Sequence, residues 1–330
     1  MTNTTLKKIS EVLGLSISTV SRALKNHPDI SEKTKLKVVE LAKALDYEPN
    51  ASAIQLRTKH SKTFGLMVPS ISNFFYDSFI ASVEEESRKQ GFSVIILQSS
   101  DNIEIENDNL RLCRQNRVTG LFACLSSNTK DISSFLKMNE LEIKTVFFDK
   151  VPEMEGLNKV CMADSRVGEI AADAILLAKK KNILSIFGNE NISITKKREY
   201  SFTNYFRIKS PSVKLLIEHA SDSENAKLIV LDYLKKKHAI DTIFCMSDEI
   251  LIGVMKAIQE LNLSIPKDLS IISISNGFIP TLFHPQITYV ETSGYQLGKL
   301  AFTQMMDCIA GTETAQELTL ESKLVAGGSL

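Results

Sequence analysis

Arg22 and its neighbours are the first residues whose types and spacing suggest chemistry. Ile17, Ser18, Ser21, Arg22 and Lys25 recur at helical spacing and form one stripe, opposite Val20, Ala23 and Leu24. A guanidinium can fork onto O6 and N7 of guanine, a serine hydroxyl can bond several base edges, and an isoleucine can cover a thymine methyl. Lys7, Lys8 and Lys25 suit phosphates. Spacing alone fits a small solvated three-helix module equally well. Charge adds a hint of nucleic acid: residues 1–60 carry ten basic and six acidic side chains in a chain of formal net charge zero.

A second group lies further on. Ser72-Asn73-Phe74-Phe75-Tyr76 directly follows the apolar run Phe64 to Val68. Aromatics at the carboxyl end of a parallel strand sit where α/β folds bind ligands. Their faces suit sugar C–H surfaces or planar bases; core packing at a helix start is the other reading. Catalytic constellations do not emerge. His27, His60, His219, His238 and His284 are scattered, and no glycine-rich phosphate loop or nucleophile motif occurs. No enzyme activity and no cofactor are expected. Cys113, Cys124, Cys161, Cys245 and Cys308 are widely spaced and odd in number, which points to free buried thiols and no metal. No apolar run reaches the roughly 18 to 20 residues of a membrane span, and the amphipathic start lacks a signal-peptide stretch, so a cytoplasmic, membrane-free protein is expected.

Positions 6 to 45 read as three short helices. Leu6, Ile9 and Leu13 recur on one face, and Gly14 ends the first helix. Ser16 caps the second and Ser31 the third, whose Leu36, Val39 and Leu45 are expected to face the core. After Thr63 short apolar runs alternate with helical patterns. Such alternation means parallel sheets covered on both faces, and the length suits two α/β lobes.

Here a resemblance becomes specific. Leu15-Ser16-Ile17-Ser18-Thr19-Val20-Ser21-Arg22-Ala23-Leu24-Lys25-Asn26 resembles the recognition-helix signature V-S-x-x-T-V-S-R-x-L-N of the lactose/galactose-repressor family of bacterial transcription regulators. Ile30-Ser31-Glu32-Lys33-Thr34, Leu45-Asp46-Tyr47-Glu48-Pro49-Asn50, Ala53, Leu56 and Thr63-Phe64-Gly65-Leu66-Met67-Val68-Pro69 continue the match in order. The resemblance implies a helix-turn-helix head (1–47), a hinge (48–60) and a two-lobed, periplasmic-binding-protein-like core of parallel sheets (61–330). Its first lobe would span about 61–160 and 290–318, its second about 161–289 and 319–330.

The resemblance implies DNA contacts at Lys7, Ser16, Ile17, Ser18, Thr19, Ser21, Arg22, Asn26, Asn50, Ala53 and Leu56, with Leu56 as an apolar wedge in the minor groove. It implies ligand contacts at Asn73, Phe75, Tyr76, Arg198, Asp248 and Asn276. Asp248 could accept sugar hydroxyls or merely cap a helix. Departures include Lys8 in place of an aspartate, Ile54 in place of an arginine, Phe74 in place of a proline and Ser201 in place of a glycine. The implied protein is a homodimeric, operator-binding regulator, a repressor, controlled by a small carbohydrate effector. A regulator answering to a protein partner, and a sugar-binding protein without a DNA role, are the alternatives.

Overall fold

The computed structural model describes residues 5–47, 61–236, 238–312 and 315–330. It divides into two compact units, residues 1–60 and 61–330.

In the first unit, α1 (Leu6–Leu13), α2 (Ile17–Leu24) and α3 (Glu32–Ala44) enclose Ile9, Val20, Ala23, Val38 and Ala42. Each helix begins on a hydroxyl cap: Thr5, Ser16 and Ser31 accept from the amides of Lys8, Thr19 and Thr34. Such caps each contribute about 1 kcal/mol. Gly14 leaves α1 at φ 62°, left-handed geometry that glycine adopts without a Cβ penalty. The expectation for α3 is partly corrected. Leu36 is 62% exposed, and the buried stripe runs through Val38, Leu41, Ala42 and Leu45. Contact with both α1 and α2 selects that stripe over the one beginning at Leu36.

The second unit holds two six-stranded sheets. Strands β1 (Thr63–Val68), β2 (Ser93–Gln98), β3 (Gly120–Ala123), β4 (Lys144–Phe148), β5 (Asn158–Met162) and β11 (Glu317–Leu320) form the first, in the order β11-β5-β4-β3-β1-β2. Its pairings are all parallel. Strands β6 (Asn182–Phe187), β7 (Lys214–His219), β8 (Thr242–Cys245), β9 (Ser270–Ser275), β10 (Thr288–Glu291) and β12 (Lys323–Val325) form the second, in the order β12-β10-β9-β8-β6-β7. There β12 pairs antiparallel with β10 and the rest are parallel.

Helices α4 (Phe74–Lys89), α5 (Ile103–Gln115), α6 (Ser133–Glu140) and α11 (Gly294–Ala310) cover the first sheet. Helices α7 (Asp164–Leu177), α8 (Ser193–Lys209), α9 (Ser223–Lys235) and α10 (Asp248–Glu260) cover the second. The chain therefore passes between lobes after β5, after β10 and after β11. Buried phenylalanines anchor both cores. Phe79 stacks on Phe148 at 3.8 Å, and Phe202 on Phe244 at 4.5 Å. Burying such a side chain is worth about 1.5–3 kcal/mol.

Candidate functional site

Two surfaces collect the residues singled out above, one in each unit. On the three-helix unit, Ile17, Ser18, Arg22, Lys25 and Asn26 are exposed, and Thr19 and Ser21 are half-buried. Ser16 is already engaged: its hydroxyl accepts from the Thr19 amide and bonds the hydroxyls of Ser18 at 2.7 Å and Thr19 at 2.8 Å. That network stiffens the first turn of α2, where the outward stripe begins. Arg22 stands 3.9 Å from Asp29, a loose and exposed pairing that a stronger acceptor could replace. Lys7 reaches Glu11 at 4.0 Å, also on the surface. Asn26 adopts φ 56° at the end of α2. Asn50, Ala53 and Leu56 lie outside the described residues.

In the larger unit Asn73, Phe75, Tyr76, Arg198, Asp248 and Asn276 line one cavity of about 560 Å³. Its walls are the segments that follow β1, β2 and β4 in one lobe and β6, β8 and β9 in the other. Every one of those strands delivers its carboxyl end to the cleft, the place where parallel α/β sheets present loop residues to ligands.

Asn73 caps α4 by accepting from the amides of Phe75 and Tyr76 at 2.9 and 3.2 Å, which fixes both aromatics. The Tyr76 hydroxyl donates to Asp149 at 2.7 Å and sits 3.4 Å from Cys124. Burial and the Asp149 charge push the tyrosine's pKa well up, so it stays a neutral donor. Arg198 is almost fully buried, and its Nε donates to Asp164 at 2.8 Å. Burial outweighs the guanidinium at Asp164 and raises that carboxyl. The ion pair orients a planar donor fork into the cleft.

The cap reading of Asp248 is corrected by the structure. Ser247 is the cap of α10, accepting from the Ile250 amide, whereas Asp248 is the first helical residue. The Asp248 carboxylate accepts from the Ser275 hydroxyl and, at 3.3 Å, from the Asn276 amide. Burial raises its pKa to about 6.

Some cleft residues were not picked out from the sequence. Asp149 and Lys150 follow β4, Gln98 ends β2, and Glu249 follows Asp248. The rule that identified Phe75, applied to the carboxyl end of every strand, points to all four. Asp164 carried no such signal, since only the fold brings it under Arg198.

Among the described residues two side-chain bonds cross between lobes. Asn73 Nδ2 donates to Glu249 at 2.7 Å, and Asn276 Nδ2 donates to the Phe74 carbonyl at 2.7 Å. Phe74 itself packs against the second lobe's core and lies 6.1 Å from Phe278. Ser201, in place of a glycine, leaves α8 continuous; the small residue needed at that crossing is Gly168 of α7, whose absent Cβ would collide with Ser201 and the Arg198 carbonyl.

All five cysteines are buried, and none is in a disulfide. Burial pushes the thiols of Cys113, Cys124 and Cys161 up to about 12, which keeps them unreactive at neutral pH. Among the described residues no cluster of ligating side chains suits a metal ion, and no helix is long and apolar enough to cross a membrane.

Residues 5–50 match the family described as bacterial regulatory proteins, lacI family, and residues 61–326 match periplasmic binding proteins and sugar binding domain of LacI family. The transcriptional regulator RegA of Clostridium saccharobutylicum is 28% identical over 98% of both chains. The ribose operon repressor of Lactococcus lactis subsp. lactis is 26% identical, over 96% of this chain and 94% of its own. The fold is shared with a solved lac repressor dimer bound to operator and the anti-inducer ONPF, at a TM-score of 0.88, 19% identity and 99% coverage of both chains.

Proposed function

The chain belongs to the lacI family of bacterial regulatory proteins, and from that membership we propose that it is a homodimeric, operator-binding repressor whose DNA affinity is set by a small carbohydrate effector. One observation carries the effector half of this reading. Six residues spread from position 73 to position 276 converge on a single cleft between two lobes. The cleft combines an aromatic face at Phe75, carboxylates at Asp149 and Asp248, and a guanidinium at Arg198, a set suited to a polyhydroxyl ring.

For the DNA half, residues 1–47 are the reading head and residues 48–60 the hinge. Arg22, Ser18 and Ile17 read base edges; Ser16, Thr19, Ser21, Lys7 and Asn26 set the register on the backbone. Asn50, Ala53 and Leu56 of the hinge reach the minor groove at the operator centre. Residues 61–330 hold the effector and the dimer contacts, in two lobes of about 61–160 with 290–318 and 161–289 with 319–330. The protein works in the cytoplasm and without a catalytic step, as a regulator. An effector acts by binding one lobe arrangement more tightly than the other, and so biases the state competent for operator.

Gel shift against fragments of the source genome, with and without a panel of sugars, tests the reading. Retention of a discrete fragment, released or tightened by one sugar, is the expected result. A protein that retains no fragment loses the repressor reading. One that retains a fragment but answers only to a protein in the lysate loses the carbohydrate reading.

A further inference from the structure

Beside the main cleft lies a second cavity of about 410 Å³, also walled by both lobes. The segments after β3 and β4 form its first-lobe side, and the turn after β6 with the start of α8 forms the other. The two cavities share Lys150 and Ile192, so they are immediate neighbours at the lobe boundary. The Lys150 ammonium is pinned at that boundary by Asp101 at 3.2 Å and the Ser127 hydroxyl at 2.9 Å.

The side compartment is built, not incidental. Its floor loop hangs on Glu106, only 2% exposed, which accepts from the Ser126 amide and the Thr129 hydroxyl, both at 2.7 Å. The Ser127 amide is held by Asp101 at 2.8 Å. A buried carboxylate is costly to desolvate unless its bonds are made, and here they fix one loop geometry. The lining mixes apolar surface at Ile132, Val151 and Met154 with hydroxyl and amide groups at Thr129, Asn191 and Ser193 and with the charged side chains of Lys130 and Glu153. A pyranose or furanose ring has this same division, an apolar C–H face and a hydroxylated edge.

We infer that the effector is a disaccharide, with one ring in the main cleft beside Phe75 and Arg198 and the second ring in the side compartment, the linkage passing Lys150 and Ile192. This rests on the carbohydrate reading above and narrows it. The lysine, already neutralised by Asp101, serves as a hydrogen-bond donor to the bridging region and not as a partner for an anionic group.

Calorimetric titration of the full chain with maltose, cellobiose, lactose, sucrose, trehalose and melibiose, and with glucose, galactose and fructose, tests this. At least one disaccharide should bind about ten-fold or more tightly than either constituent sugar. Ser193→Trp and Met154→Trp, two half-buried or exposed positions that intrude into the side compartment, should each remove that advantage. Monosaccharide affinity should change less than about two-fold, and operator retention should show that both variants fold. A monosaccharide that binds as tightly as every disaccharide containing it overturns the inference and leaves the carbohydrate reading standing. So does unchanged disaccharide affinity in both variants. Absence of binding by any sugar overturns the two together.

Discussion

At the scale of single residues, Arg22 and Asp248 make opposite demands on their surroundings. Arg22 is exposed and only loosely held by Asp29, so its fork is free to find a guanine. Arg22→Ala should cost about 1–3 kcal/mol of specific binding and relax base preference in each half-site. Selection of binding sites from random DNA would check it; an unchanged preferred sequence shows that Arg22 reads no base. Asp248 is buried, and its pKa of about 6 lies above the ordinary value of 3.8. The folded state therefore holds a proton that the unfolded state has lost between about pH 4 and pH 6. Its contribution to stability is a cost that is absent below that window, grows through it and is complete above it. Asp248→Asn should remove this acid-side gain from the melting profile. The same titration should weaken sugar binding below pH 6, because a protonated carboxyl loses acceptor capacity, and the asparagine variant should lose that pH dependence. Calorimetry across pH 4 to 8 measures both.

Between elements, α7 and α8 cross so closely that Gly168 faces the Arg198 carbonyl directly. Gly168→Val should force the helices apart, destabilise the core by roughly 1–3 kcal/mol, and displace Arg198 from the cleft. Denaturant unfolding gives the first quantity and sugar titration the second. The start of α4 meets the loop after β9 through Asn276 and the Phe74 carbonyl, across the lobe boundary. One such bond is worth about 0.5–1.5 kcal/mol. Asn276→Ala should broaden the distance distribution of the sugar-free protein in small-angle scattering and weaken sugar binding. No change in either measurement would mean that this bond does not set the lobe arrangement.

For the whole molecule, the proposed coupling between DNA and effector is a free energy shared by two sites. Whatever factor the effector imposes on operator affinity, operator must impose on effector affinity. Titrating sugar with and without operator should give that same factor. Arg198→Lys is the informative variant, because removing the cation outright would strand buried Asp164 at a cost of about 3–5 kcal/mol. Lysine keeps the charge and loses the planar fork. It should leave effector-free operator binding intact while reducing the effector's influence on it by about ten-fold or more. A lysine variant that responds as the parent does would remove Arg198 from the effector site.

Much of this architecture is local in origin and was readable along the chain. The caps at Ser16 and Ser31, the left-handed exit at Gly14, the outward stripe of α2 and the alternation of strands with helices depend on residues within a few positions of one another. So does the placing of Phe75 after a strand's carboxyl end. What the linear order could not decide depends on pairings between distant segments. The buried stripe of α3 was chosen by two other helices. Arg198 acquired Asp164, 34 positions earlier, and Tyr76 acquired Asp149, 73 positions later. Asn73 and Asn276, expected as ligand contacts, each also spend an amide on a bond to the opposite lobe, which no periodicity foretells. Propensity and capping act through the backbone of neighbouring residues. Ion pairs, interlobe bonds and cavities exist only once sheet order and loop geometry have brought remote side chains within hydrogen-bond reach.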